Sequence, residues 1–133
     1  SNTFFATGAN GAYNGNNAST WSTTSDRRIK KNITDNTTGL EKINQIQVRN
    51  FEYRTTEEID ELPKHAAIDK QGIQLGVIAQ ELELIAPEMV KTESTGVKTV
   101  DSNNLTWYLV NAIKELSETN KDLKSRIEAL ESN

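Results

Sequence analysis

The sequence predicts an α+β fold: a small domain of mixed helices and strands, preceded by an extended β-rich segment and followed by a long C-terminal helix. Three observations lead to it. Residues 1–24 are rich in Gly, Asn, Ser and Thr, punctuated by Phe4, Phe5, Tyr13 and Trp21. From Ser25 to about Asp101, short alternating and helical apolar patterns succeed one another. Beyond residue 102 the apolar residues settle into heptad spacing. The regions are therefore drawn as 1–24, 25–102 and 103–133.

In the first region Gly8, Gly11 and Gly15 tolerate positive φ, and isolated aromatics anchor short strands, which predicts turns and extended pieces. Thr38 followed by Glu41 predicts a capping box opening a brief helix through Leu40, Ile43 and Ile46. Arg49, Phe51 and Tyr53 alternate with Asn50, Glu52 and Arg54, as in a strand with both rings on one face, where core packing is their simplest role. A second strand places Ile73, Leu75 and Val77 on one face, with Gly76 allowing close backbone approach. Ala79 to Ala86 are good helix formers, and Pro87 ends that helix because its ring disfavours helical geometry at the residue before it. Met89 to Val100 reads as a hairpin turning at Thr95-Gly96.

The last region is a coiled coil by its spacing. Ile113, Asn120 and Ile127 repeat at heptad position a, and Leu109, Leu116, Leu123 and Leu130 at position d. Such a repeat keeps one apolar seam turned toward other helices, and Asn120 within it disfavours slipped registers at a cost in stability. Arg126 at g is set to meet Glu131 at e of a parallel neighbour. Isoleucine at a with leucine at d, together with the asparagine in the seam, slightly favours two strands, so the heptads alone do not establish a trimer. Upstream, Trp107, Tyr108 and Val110 widen the apolar surface, suiting packing against the chain's own domain.

A hydrophobic content of 35% is low for a globular chain of 133 residues, so burial between subunits would make up a shortage of core. The net charge of -4 argues against nucleic acid as a partner, since phosphate backbones are bound by accumulated Lys and Arg. No apolar run approaches the roughly 20 residues that span a bilayer, so no membrane partner is expected. With no cysteine and only His65, thiolate and histidine-cluster metal sites are excluded, and neither metal nor cofactor is expected. Ser1 in place of an initiating methionine leads to the expectation of a piece of a longer chain.

The chemically distinctive stretch is Ser25-Asp26-Arg27-Arg28-Ile29-Lys30-Lys31-Asn32-Ile33. A serine hydroxyl is a poor nucleophile until a base accepts its proton, and Lys30 is the nearest basic side chain able to do so. The amine must be neutral for that, a state favoured by burial or by adjacent positive charge such as Arg27, Arg28 and Lys31 supply. The most economical reaction sets the Ser25 hydroxyl against the Thr24 carbonyl and breaks the Thr24–Ser25 bond. Proximity is then built into the chain, and no substrate pocket is needed. Backbone N–H groups or Asn32 are candidates for stabilising the oxyanion, and Asp26 for orienting Arg28 or Lys30.

The spaced whole resembles the intramolecular chaperone domain of the endosialidase type, found at the C-termini of phage tail spikes and tail fibres. That family's motif reads Ser-Asp-x-Arg-x-Lys-x-Asn-Ile, matched by Ser25, Asp26, Arg28, Lys30, Asn32 and Ile33. Gly76-Val77-Ile78-Ala79-Gln80-Glu81-Leu82, with Pro87-Glu88 and Val90, is similar to its second signature, and Val100-Asp101 before the helix to its third. Where relatives often carry tyrosine after that Val-Asp, this chain has Ser102. The resemblance implies a homotrimer built on a parallel trimeric coiled coil. It also implies a single-turnover Ser-Lys autoproteolytic peptidase, with Ser25 as nucleophile, Lys30 as its basic partner, and Asp26, Arg28 and Asn32 in support. The domain would guide folding of the upstream fibre or spike in the host cytoplasm and be released after cutting, leaving residues 1–24 on the virion tail.

Two other function classes fit parts of the sequence. A noncatalytic coiled-coil oligomerisation or binding module would use the heptads and treat the Ser25 motif as a basic surface. A glycosidase would need a carboxylate pair, for which Glu81, Glu83 and Glu88 are available, though helix-surface roles explain them more simply.

Overall fold

A computed structural model of the chain describes residues 21–132. Most of the segment expected to be β-rich thus lies outside the described residues, and 21–24 carry neither helix nor strand. The chain divides between Asp35 and Asn36 into two units. In the first, the described regular structure is a single 3₁₀ turn, Arg27–Ile29. The second is α+β, as expected. It runs α1 (Leu40–Gln45), β1 (Arg49–Phe51), β2 (Gln74–Gly76), α2 (Ala79–Ile85), β3 (Val90–Thr92), β4 (Lys98–Val100) and the long α3 (Leu105–Glu131), with 3₁₀ turns at Thr56–Glu58, Lys64–Ala66 and Pro87–Met89.

The strands form two antiparallel pairs. Arg49 faces Gly76, Asn50 faces Leu75 and Phe51 faces Gln74 in the first, and Val90 faces Val100 in the second. The second pair turns at Thr95-Gly96, where Gly96 adopts φ +89°, a left-handed conformation that glycine takes without steric cost. Strand β1 is shorter than the alternation predicts, but Phe51 and Tyr53 still meet edge to face at 5.3 Å. The Phe51 ring lies over Gly76, where an added Cβ would sit 3.3 Å from it. Neither ring enters the core: Phe51 is half-buried and Tyr53 exposed.

The predicted apolar face of β2 is corrected. Only Val77 packs against the core, while Ile73 and Leu75 are each 75% exposed. Alternation identifies the two faces of a strand but not which is covered. Here Arg49, on the face opposite Leu75, pairs with Glu81 of α2, so the helix lies on the polar residue's side.

The capping box expected at Thr38 and Glu41 is also corrected. Gly39 is the N-cap residue of α1 and no side chain of its own caps that helix. The Leu40 N–H donates instead to Glu115 Oε2 of α3 at 3.3 Å. A reciprocal box does form at Thr55 and Glu58, where the Glu58 carboxylate accepts the Thr55 N–H at 3.0 Å.

The core is compact. Leu82 and Ala86 on and just after α2, Met89 from the following turn and Tyr108 from α3 are buried together, with Ile43, Ile46, Val77, Val90 and Leu105 packed around them. Ala86 is buried completely, and Pro87 closes α2 beyond it. Above this cluster Glu88 Oε1 accepts from Lys42 Nζ at 2.7 Å and from the Tyr108 hydroxyl at 3.0 Å, tying α1, the 3₁₀ turn and α3 together. The Lys42 bond, with smaller help from a backbone N–H and from Tyr108, holds the Glu88 carboxyl below the usual glutamate range. A carboxylate whose folded-state affinity for protons is lowered contributes stability above its unfolded pKa, about 4.3, and loses it as pH falls through the lower folded value. Thermal unfolding followed from pH 7 into acid should therefore show Glu88→Gln less stable than wild type at neutral pH but less sensitive to pH below the glutamate range. Parallel curves would remove Glu88 from the account.

Helix α3 changes character along its length. Tyr108 and Ala112 are buried, yet every residue from Ile113 to Ser132 is exposed. The wider upstream surface expected from Trp107, Tyr108 and Val110 reduces to Tyr108, since Trp107 is 66% and Val110 43% exposed. At 3.6 residues per turn, the residues that meet the domain, Leu105, Tyr108, Asn111, Ala112 and Glu115, lie at heptad positions g, c, f, g and c. The a/d seam lies on a different side of the helix and remains open. Among the described residues, no helix is long and apolar enough to cross a membrane.

Candidate active site

The Ser25 motif folds around one tight turn. Asp26 is extended, and its Oδ1 accepts the Arg28 N–H at 2.8 Å, capping the 3₁₀ turn Arg27–Ile29 in the manner of an N-cap aspartate. The same carboxylate grips the Arg28 side chain in a fork, with Nε at 3.0 Å and Nη2 at 2.8 Å. That guanidinium holds the Asp26 carboxyl below its ordinary range, and Asp26 in turn raises Arg28. Of the two orienting roles open to Asp26, the structure supplies the one toward Arg28.

The turn then delivers Lys30 back to Ser25. Backbone bonds from the Ile29 N–H to the Asp26 carbonyl and from the Lys30 N–H to the Arg27 carbonyl, both 3.1 Å, reverse the chain. Lys30 leaves in extended geometry, and its Nζ donates to Ser25 Oγ at 2.6 Å. With a neutral amine the same contact reverses its direction, the hydroxyl donating to nitrogen, which is the geometry a nucleophile and its base require. Asn32 takes φ +53°, the left-handed region that asparagine enters more readily than most residues. Its side chain makes no hydrogen bond to Ser25 or Lys30 among the described residues. The bond-bearing Thr24 and the whole stretch from Ser25 to Ile33 are exposed.

The predicted assembly residues are equally accessible. Leu109 is 42% and Leu130 75% exposed, and Ile113, Leu116, Asn120, Leu123 and Ile127 are also exposed. Arg126 pairs within its own helix, its Nε 3.2 Å from Asp122 Oδ2. The three glutamates available to a glycosidase each have a cation partner: Glu81 with Arg49, Glu83 with Lys98, and Glu88 with Lys42. No cluster of metal-ligating side chains occurs among the described residues.

Sequence spacing missed two things here. One is the left-handed backbone at Asn32, for which the residue type itself was the available signal. The other is the role of Asn111, whose Nδ2 donates to the Thr38 carbonyl at 2.8 Å across 73 positions of sequence, beyond the reach of any local pattern.

A family model described as chaperone of endosialidase matches residues 25–91, just over half of the chain. The match opens on Ser25 itself and runs through α1, the first strand pair and α2 into β3. A motif that begins at the serine facing Lys30, and a match that continues through the core of the second unit, agree on one assignment: the chain belongs to the Peptidase_S74 family, chaperone of endosialidase.

Proposed function

We propose that this chain is a self-cleaving intramolecular chaperone that trimerises through α3. It guides folding of a phage tail fibre or tail spike in the same polypeptide, and is then released by autoproteolysis between Thr24 and Ser25. The observation that carries this reading is the 2.6 Å separation of Lys30 Nζ and Ser25 Oγ, next to the bond to be broken.

In the reaction, neutral Lys30 takes the hydroxyl proton as Ser25 Oγ attacks the Thr24 carbonyl carbon. The tetrahedral intermediate collapses with cleavage of the C–N bond, and the Lys30 ammonium returns the proton to the departing nitrogen. This leaves an ester between Thr24 and Ser25 Oγ and a free Ser25 amine. Water hydrolyses the ester, giving a Thr24 carboxylate and a chain that begins at Ser25 with its hydroxyl restored. The reaction happens once per chain and requires no external substrate, because attacking and attacked atoms are neighbours in sequence. Asp26 and Arg28 keep the turn that returns Lys30 to Ser25, and Asn32 or backbone N–H groups meet the oxyanion.

The assembly half of the proposal is supported by the open a/d seam of α3 and by the placement of the domain on other positions of that helix. Three parallel copies would cover Leu109, Ile113, Leu116, Leu123, Ile127 and Leu130, with Asn120 setting the register. A trimer holds the upstream chains together, so that slow nonlocal strand pairing proceeds at high effective concentration. Region 1–24 then ends the retained fibre, 25–102 is the chaperone domain, and 103–133 is the trimeriser. The work is done in the host cytoplasm during virion assembly, and the fibre remains on the tail.

The competing reading is a coiled-coil module that never cuts, favoured by the full exposure of Ser25 and Lys30 in a single chain. Intact-mass measurement together with solution molecular weight separates the two. The proposal expects a fragment beginning at Ser25 and a trimeric mass; a trimer that stays whole supports the module.

A further inference from the structure

Downstream of the motif, α3 holds the chain at Asn36, Thr38 and Leu40. Asn111 Nδ2 donates to the Thr38 carbonyl at 2.8 Å, to the Asn36 carbonyl at 3.1 Å and to Asn36 Oδ1 at 3.2 Å. Asn36 Oδ1 also accepts the Thr38 N–H at 2.9 Å, which folds the segment into a tight local turn. One helical turn on, Glu115 Oε2 accepts the Leu40 N–H. Between these anchors Gly39 lies against α3 so closely that an added Cβ would stand 2.8 Å from Glu115 Oε1 and 2.9 Å from the Ala112 nitrogen. No side chain fits there, so Gly39 is present because the two backbones touch.

Two further facts give this clamp a role beyond packing. Asn36 is bonded to Asp35, and only Ile33, Thr34 and Asp35 stand between it and Asn32 of the motif. On the other side, the clamp residues Asn111, Ala112 and Glu115 are interleaved with the seam residues Leu109, Ile113 and Leu116 in the same two turns of helix. An event that steadies those turns on one side steadies the grip on the other.

We propose that Asn111 and Glu115 are positioning residues for the Ser25 reaction: they fasten the chain leaving the motif to the helix that assembles, so that covering the seam is felt at the cleavage site. This rests on the self-cleavage reading above. In a single chain α3 is exposed from Ile113 onward, so the grip of Asn111 and Glu115 stands at the edge of an uncovered stretch of helix. Assembled, the grip persists, and Ser25 and Lys30 spend more of their time in the attacking geometry.

The full chain carrying Asn111→Asp, Glu115→Ala or Glu115→Gln tests this, with cleavage followed by intact mass at equal trimer content and amide exchange followed over 33–40. Asn111→Asp keeps the shape but loses the donor, and Glu115→Gln keeps an oxygen for the Leu40 N–H. Asn111→Asp and Glu115→Ala should slow cleavage about tenfold or more and speed exchange over 33–40, with trimer mass unchanged. Glu115→Gln should restore both toward wild type, which a general loss of stability would not do. Trimers of Asn111→Asp that cut at the wild-type rate overturn the clamp and leave the cleavage reading intact. A wild-type trimer that stays uncut overturns the cleavage reading, and the clamp with it.

Discussion

Ser25→Ala should leave the chain whole at every time point, and Lys30→Ala should slow cutting by about 10²–10⁴-fold, the usual contribution of a positioned general base. In the proposed reaction Ser25→Ala removes the attacking atom, whereas loss of Lys30 leaves the hydroxyl adjacent to its carbonyl and dependent on water to take its proton. Both side chains are exposed and bury no apolar surface, so each variant should assemble like wild type. Lys30→Arg should behave like the alanine variant, because a guanidinium stays charged and accepts no proton. Mass spectra that show the Ser25 fragment forming at wild-type rate in both single variants would remove the dyad from the mechanism.

If α3 assembles as proposed, Leu116→Asp combined with Leu123→Asp should leave the chain monomeric. Burying a leucine contributes about 1.5–3 kcal/mol per side chain, and the substitution repeats in each copy, where it also sets like charges against one another in the seam. The domain itself should survive, because Tyr108 and Ala112 meet it from other positions of α3, and both substituted residues are exposed. Sedimentation should therefore report a monomer while circular dichroism keeps the signal of the α+β core. An unchanged solution mass would mean that the chain assembles through some other surface, or does not assemble through α3 at all.

What the sequence revealed and what it hid divide by distance along the chain. Helix α2, its stop at Pro87 and the turn at Thr95-Gly96 rest on neighbours, and each was legible. So was the spacing of Ser25 and Lys30, because a single 3₁₀ turn is enough to return one to the other. Thr38 and Glu41 had the right spacing for a capping box and do not form one, since the contact that decides the geometry there is with Glu115, 75 positions from Leu40. Ile73 and Leu75 alternate as a buried face should, yet what covers a face is set by which element packs on it, and α2 is engaged through Arg49 on the other side. The seam of α3 was readable as a repeat. That the domain uses different positions of the same helix was not, because Tyr108 and Trp107 look alike as apolar residues until the core selects one.

The separation of faces along α3 makes the helix divisible. Nothing from Ile113 to Ser132 is buried in the domain, and past Glu115 the helix has no part in holding it together. The distal turns could be exchanged for a heptad sequence of another oligomeric number with the core and the Ser25 turn left as they are. Copy number would then become an attribute grafted onto the domain rather than one the domain dictates, and the same folded unit could serve fibres of different symmetry.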